Sequence, residues 1–155
     1  MPDIKHTDAY YANSDIDWFV RLNGCNIHVA STGRMIPEKI VSSLPEVYKQ
    51  VSDIEMAPWS NEGVWYNEKL LKSWLHLERD MEIARYLATF VVMARKGFYS
   101  FAPITFDATD DNYFLMAKPM PYVDRDIKGI VNGENTPFNI NEVQEFTPVR
   151  LVEWI

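Results

Sequence analysis

From Ile16 onward apolar and polar residues alternate. Ile16, Trp18, Val20 and Leu22 are interleaved with Asp17, Phe19 and Arg21, the two-residue period of a strand. Asn23-Gly24 follows, the dipeptide that accepts positive φ at both centres of a type I′ turn. A two-residue loop there sets the register of a hairpin over 16–31. Leu22 pairs with Cys25, Val20 with Ile27 and Trp18 with Val29 on one face, the predicted core face. Phe19 then stands opposite His28, and Arg21 opposite Asn26, on the other face. A slip of one residue would turn every one of these side chains over.

The period changes after Gly33 and Pro37. Ile40, Val41, Leu44, Val47, Tyr48 and Val51 recur at three- and four-residue steps, which predicts an amphipathic helix kinked or split at Pro45. Residues 54–66 read as an irregular, aromatic-rich connection. Asn67 has the chemistry of an N-cap and Glu68 suits a first turn. Leu70, Trp74, Leu77, Met81, Ala84, Ala88 and Val91 then follow at alternating four and three spacing. They predict one face of a long helix near 68–96, closed by Lys96-Gly97, with a break into two helices near Glu78–Asp80 as the alternative. Beyond Arg85 the other faces turn apolar as well, which places the second half of that helix at the centre of the fold.

Strands are predicted near 98–106 and 112–118, joined by the acidic loop 107–111. Both faces of each are apolar, as in strands covered on two sides. Pro119 and Pro121 stop the second strand. Ile127 to Val131 with Asn132-Gly133 suggest a turn and a short edge hairpin. Asn141 and Gln144 resemble a capping box, and Pro148 precedes a final strand near 149–154. The order lacks a βαβ alternation. It therefore predicts an α+β fold, with a mainly antiparallel sheet packed on the long helix. At 155 residues the chain reads as a single domain over 1–155, with 1–15 a polar lead-in.

Composition narrows the picture. With 47% hydrophobic residues, and five Trp, eight Tyr and eight Phe, the chain has the apolar area that a disordered sequence lacks. Cys25 is the sole cysteine, which excludes an internal disulfide framework and a multi-cysteine zinc site. The first residues form no signal-type apolar run, and the longest apolar stretch, Tyr86 to Ala94, is too short to span a bilayer. A soluble, cytoplasmic protein without a membrane partner is the expectation. Fifteen basic residues against 22 acidic ones give a net charge of −7, which disfavours binding to nucleic acid through phosphate contacts. From Asp107 to Ile155 nine acids face four bases, so this third is the most acidic. Such a surface can steer a basic protein partner or simply keep the chain in solution.

Candidate chemistry is sparse. Cys25 and His28, three apart on a strand, face opposite ways and make no thiolate–base pair. No G-x-S-x-G elbow is present, and six scattered glycines form no phosphate cradle. His76, Glu78, Asp80 and Glu82 come nearest to a ligand cluster, but they alternate with Arg79 and Arg85 as on a solvated helix face. Asp107, Asp110 and Asp111 lack calcium-loop spacing. No catalytic residue, metal site or cofactor is predicted. The binding candidates are Trp59, Trp65 and Tyr66 in the aromatic connection, His28 and Arg21 on the non-core face of the hairpin, and His76. They point first to a non-catalytic protein-interaction module, an accessory subunit or an acidic inhibitor of immunity type. The alternative is a small-molecule-binding protein or enzyme with a pocket between sheet and long helix, lined by His28, Arg21, Trp74 and His76. A further alternative is a homo-oligomeric structural protein.

Overall fold

The computed structural model describes residues 17–32, 36–42, 63–105, 112–122, 124, 130–133 and 139–155. Trp59, the kink at Pro45 and the acidic loop 107–111 lie outside them. The hairpin forms from β1 (Asp17–Leu22) and β2 (Cys25–Ala30), with Trp18↔Val29, Val20↔Ile27 and Leu22↔Cys25 in register. Asn23 (φ 48°) and Gly24 (φ 80°) supply the two left-handed residues that the type I′ turn demands. A helical turn over 38–42 follows, then β3 (Val64–Tyr66), α1 (Glu68–Ser73), α2 (Asp80–Arg95), β4 (Tyr99–Ala102), β5 (Phe114–Pro119) and β6 (Val131–Asn132).

Among the described residues six strands join one sheet in the order β3-β5-β4-β2-β1-β6. The sheet is mixed: β1–β2, β4–β5 and β3–β5 are antiparallel, whereas β2–β4 and β1–β6 are parallel. Three of the five pairings are antiparallel, so the mainly antiparallel expectation holds in part; the parallel β2–β4 and β1–β6 pairings are what it did not contain. Both-face burial of all four β4 residues is the pattern that parallel neighbours share with any covered strand, and it does not report direction.

Three further boundaries differ from the pattern. The segment 68–96 is two helices, the alternative reading, with the separating stretch Trp74–Arg79 beginning earlier than the break expected near Glu78–Asp80 and His76 at φ 54° within it. The segment 149–154 is not a strand: Val149 makes one isolated bridge to Tyr113, and Leu151–Trp154 turns as a 3₁₀ helix. The predicted strand 98–106 ends at Ala102, because Pro103 has no N–H for the ladder. The aromatic connection, read as irregular, ends in strand β3. The region of the suggested edge hairpin provides β6 instead, paired in parallel with β1.

Both faces of the sheet are covered. On one, Trp18, Val20, Val29, Phe101 and Leu115 pack against Ile40, Val143 and Leu151. On the other, Ile83, Leu87, Phe90 and Ala94 of α2, with Leu70 and Leu71 of α1, rest on Phe114, Met116 and Ala117. A β-bulge beside Ser100 and Phe101 puts the consecutive residues Met116 and Ala117 on the same side. The break between the helices also rotates the buried face. Because α1 stops at Ser73, its phase does not carry into α2, and the larger Ile83, Leu87 and Phe90 set which side faces inward. Met81, at 67% exposure, and Ala84 and Ala88 of the predicted core stripe therefore face outward.

The end of α2 shows sequence chemistry acting directly. Gly97 (φ 101°) donates to the Ala94 carbonyl and Phe98 to the Met93 carbonyl, each at 3.0 Å, which is a Schellman closure. The apolar contact that accompanies this motif is present too: Phe98 packs on Met93 together with Phe19. Strand β4 is thereby launched from the helix end straight into the sheet.

Candidate functional site

The corner between β3 and α1 is held by Asn67, which is fully buried. Its Oδ1 accepts from the Leu70 amide at 3.2 Å and so caps α1. Its Nδ2 donates to the Leu115 carbonyl at 2.9 Å and to the Glu145 carbonyl at 2.8 Å, and its own amide donates to Met116 at 2.9 Å. One side chain thus ties edge strand, helix, central strand and C-terminal segment together. On either side of it, Tyr66 and Glu68 are held facing α2.

Between this corner and α2 lies a groove of about 320 Å³, open to solvent. Its floor and far wall are Ile83, Ala84, Leu87, Ala88 and Val91, with Asp80 at its head and Tyr66 and Glu68 on the near wall. The two alanines are what make it a groove, since larger side chains at 84 and 88 would fill it. A second, more polar concavity of about 360 Å³ shares Tyr66 and Glu68 and adds Val64, Trp65, Lys69, Met120 and Glu145. Nearby, Trp74 stacks edge-on against Phe114 (5.4 Å, 84°) and obliquely on Phe146 (4.9 Å, 45°). Tyr66 and Trp74 remain 45% exposed and Phe146 41%. Glu68 is paired with Lys72 at 2.6 Å, which raises the Lys72 pKa through that hydrogen bond.

No known protein family, curated protein or solved structure matches this chain. The chemistry of its surfaces therefore rests on its own geometry.

The predicted residues occupy separate places. Tyr66 lines both concavities. Trp65 is half-buried on the opposite face of β3, with Lys118 Nζ 5.2 Å from its ring centroid. His76 is exposed in the link between the two helices. Arg21 is engaged by Asp124 in a bidentate pair at 2.7 and 2.8 Å and donates to Asn26 Oδ1 at 3.0 Å. That pairing raises the guanidinium pKa further. Tyr122 joins the same cluster: its hydroxyl accepts from the Asn26 amide at 3.1 Å and lies 3.1 Å from the Gly24 carbonyl. Burial pushes its phenol up to about 12. Burial also raises the Cys25 thiol, against a lowering influence of Arg21.

His28 is fully buried beneath α2, beside Phe19 and Phe90. Its Nδ1 is 2.6 Å from Ser100 Oγ, and its Nε2 lies 3.4 Å from Asp17 Oδ2 without the alignment of a hydrogen bond. The order Asp17–His28–Ser100 has the composition of a proton relay, and sequence spacing gave no sign of it because Ser100 enters from β4. Ser100 is itself fully buried, so its hydroxyl presents no nucleophile to an outside substrate. His28 and Ser100 close a gap between helix and sheet that Phe19, Phe90, Met93 and Phe98 otherwise fill. His28, Arg21, Trp74 and His76 do not converge on a common cavity there. Among the described residues no group of three or more His, Cys, Asp or Glu side chains is placed to hold a metal ion, and no helix is long and apolar enough to cross a membrane.

The groove residues Ala84, Ala88 and Val91 were not among the sequence candidates, and Asp80 entered only as part of a solvated helix face. Their signal was present as a weakening of the helical stripe, where Leu70 and Leu77 give way to Ala84 and Ala88.

Proposed function

We propose that this protein is a non-catalytic interaction module that binds a basic protein partner along the groove between the β3–α1 corner and α2. The observation that carries this reading is the solvent-open apolar concavity walled by the exposed Tyr66, with Ile83, Ala84, Leu87, Ala88 and Val91 of α2 in its floor and far wall. Large aromatic groups held rigidly at a surface give contact area at small entropic cost, which is why they dominate binding energetics. The acidic residues favour a cationic partner: Asp80 and Glu68 border the groove, and the chain carries a net charge of −7. The second reading, a small-molecule pocket between sheet and helix, has less support, because that space is taken by Phe19, Phe90, Met93 and Phe98.

The test compares wild type with Ala88→Arg, which adds bulk and positive charge to an exposed groove position. Both are tagged and used to capture proteins from the source lysate at low and high salt. A stoichiometric basic protein held by wild type, weakened by salt and lost with Ala88→Arg, is the expected result. The same proteins retained by both, or nothing retained by either, would sink the proposal.

A further inference from the structure

We infer that the partner engages as an extended, lysine- or arginine-bearing segment that adds a strand to the edge of β3 turned away from β5. The inference rests on the groove-binding reading above and specifies its mode. Strand β3 ends the sheet order and pairs only with β5 among the described residues. The register is Val64↔Pro119, Trp65↔Lys118 and Tyr66↔Ala117. Just beyond it, the Met120 amide donates to the Gly63 carbonyl at 2.9 Å and the Asn67 amide to the Met116 carbonyl at 2.9 Å. In an antiparallel ladder, hydrogen-bonded pairs recur every second residue. Gly63, Trp65 and Asn67 therefore turn their backbone groups toward β5. Val64 and Tyr66 turn theirs outward, each offering an N–H and a C=O to an incoming strand.

The side chains complete the template. Val64 packs on the α2 side and Tyr66 walls the groove there, whereas Trp65 packs on the opposite face. A strand laid beside β3 would send alternate side chains toward the apolar groove of α2 and toward the polar concavity of Trp65, Lys69 and Glu145. Strand addition of this kind draws affinity from the backbone and specificity from alternate pockets. A cationic residue on the α2 side would reach Asp80 and Glu68, the two carboxylates that border the groove, in competition with Lys72. The three-residue length of β3 and its polar surroundings are common ways of keeping an edge from pairing indiscriminately.

The experiment selects dodecapeptides from a displayed random library against the full chain, then measures the binding of the selected peptides by fluorescence anisotropy. Val64→Pro deletes an outward N–H while sparing every β3–β5 hydrogen bond, and Val64→Ala controls for the lost side chain. The peptides are expected to alternate apolar and polar residues and to include a Lys or Arg. They should bind Val64→Pro at least about fivefold more weakly than Val64→Ala. Methylating every second peptide nitrogen should weaken binding to the wild-type chain comparably, a readout independent of whether the proline variant folds. Peptides that fail on Ala88→Arg yet tolerate both Val64→Pro and N-methylation would leave groove binding standing and overturn strand addition. A chain that instead dimerises through this edge, with dimerisation lost in Val64→Pro, would assign the edge to a second copy and overturn the proposed occupant. A failure to select any peptide would overturn both readings.

Discussion

Asn67 offers the sharpest test of how the groove is built. Replacing it with Ala removes the cap of α1, worth about 1 kcal/mol. It also leaves the carbonyls of Leu115 and Glu145 without the Nδ2 donor, the former in the core. A buried acceptor deprived of its partner costs about 1–3 kcal/mol, and partial access of water at Glu145 lowers its share. The loss expected for Asn67→Ala is therefore about 3 kcal/mol. Asn67→Asp separates the two roles. Its carboxylate can still accept from the Leu70 amide, but its second oxygen now faces two carbonyl oxygens in a site with no solvent exposure. Repulsion and desolvation favour the protonated acid in the folded state and raise its pKa above the unfolded value near 3.9. For a carboxyl raised in this way, stability is greatest when it is protonated and falls as pH rises through the unfolded value toward the folded one. Asn67→Asp should thus be less stable than Asn67→Ala at neutral pH and should close that gap as pH falls toward about 4. Urea denaturation at several pH values, read through the midpoint at unchanged slope, measures both effects. An Asn67→Ala variant within about 0.5 kcal/mol of wild type would refute the assigned role. So would an Asn67→Asp variant with no pH-dependent penalty.

Other consequences follow from the same geometry. A Cβ on Gly63 would sit 2.4 Å from the Met120 carbonyl oxygen, whereas one on Gly24 meets nothing within 4 Å. Gly63→Ala should therefore lower the thermal midpoint more than Gly24→Ala, which bears only the cost of its positive φ, about 1 kcal/mol; the reverse order would count against the close approach of β3 to Met120. Ser100→Ala removes the partner of a buried imidazole nitrogen and should cost about 1–3 kcal/mol in chemical denaturation; an unchanged midpoint would show that the His28 contact contributes nothing. The Tyr122 phenol, pushed up to about 12 by burial, contributes stability that is complete below the ordinary tyrosine range and is lost as pH rises through the folded value. Burial raises the phenols of Tyr86 and Tyr99 as well; in an alkaline absorbance titration Tyr122→Phe should lose a late-ionising phenol, and loss of one that ionises in the ordinary tyrosine range would contradict its burial.

Much of the fold was legible where local chemistry decides it. Asn23-Gly24 and the alternation around it set the hairpin register to the residue. Asn67 and Gly97 marked real ends because a cap and a left-handed glycine act through their immediate neighbours. What the pattern did not contain was strand direction, since Tyr99–Ala102 has the same buried composition whether its neighbour runs parallel or antiparallel. The helix break was legible only as an alternative near Glu78–Asp80, because Trp74 and Leu77 continue an apolar spacing across the backbone turn at His76. That continuity led the reading onto the wrong face of α2 and hid the groove. The candidate site was half visible in consequence, with Tyr66 found through its aromatic surroundings and the alanines passed over as core. Asp17, His28 and Ser100 were out of reach for a different reason, because β4 reaches β2 across some seventy residues of chain.

That long-range junction bears on how the molecule assembles. The hairpin is local, and α2, β4 and β5 form a second neighbourhood joined end to end through Gly97. The parallel seam between β2 and β4 has to wait until both exist, since it encloses by far the larger loop. Until the seam closes, Ile27, Val29, Tyr99 and Phe101 lie along two unpaired edges. Intermolecular association during refolding should thus begin at this central seam, though the finished protein hides it entirely, and should grow with chain concentration as two such edges from different molecules meet.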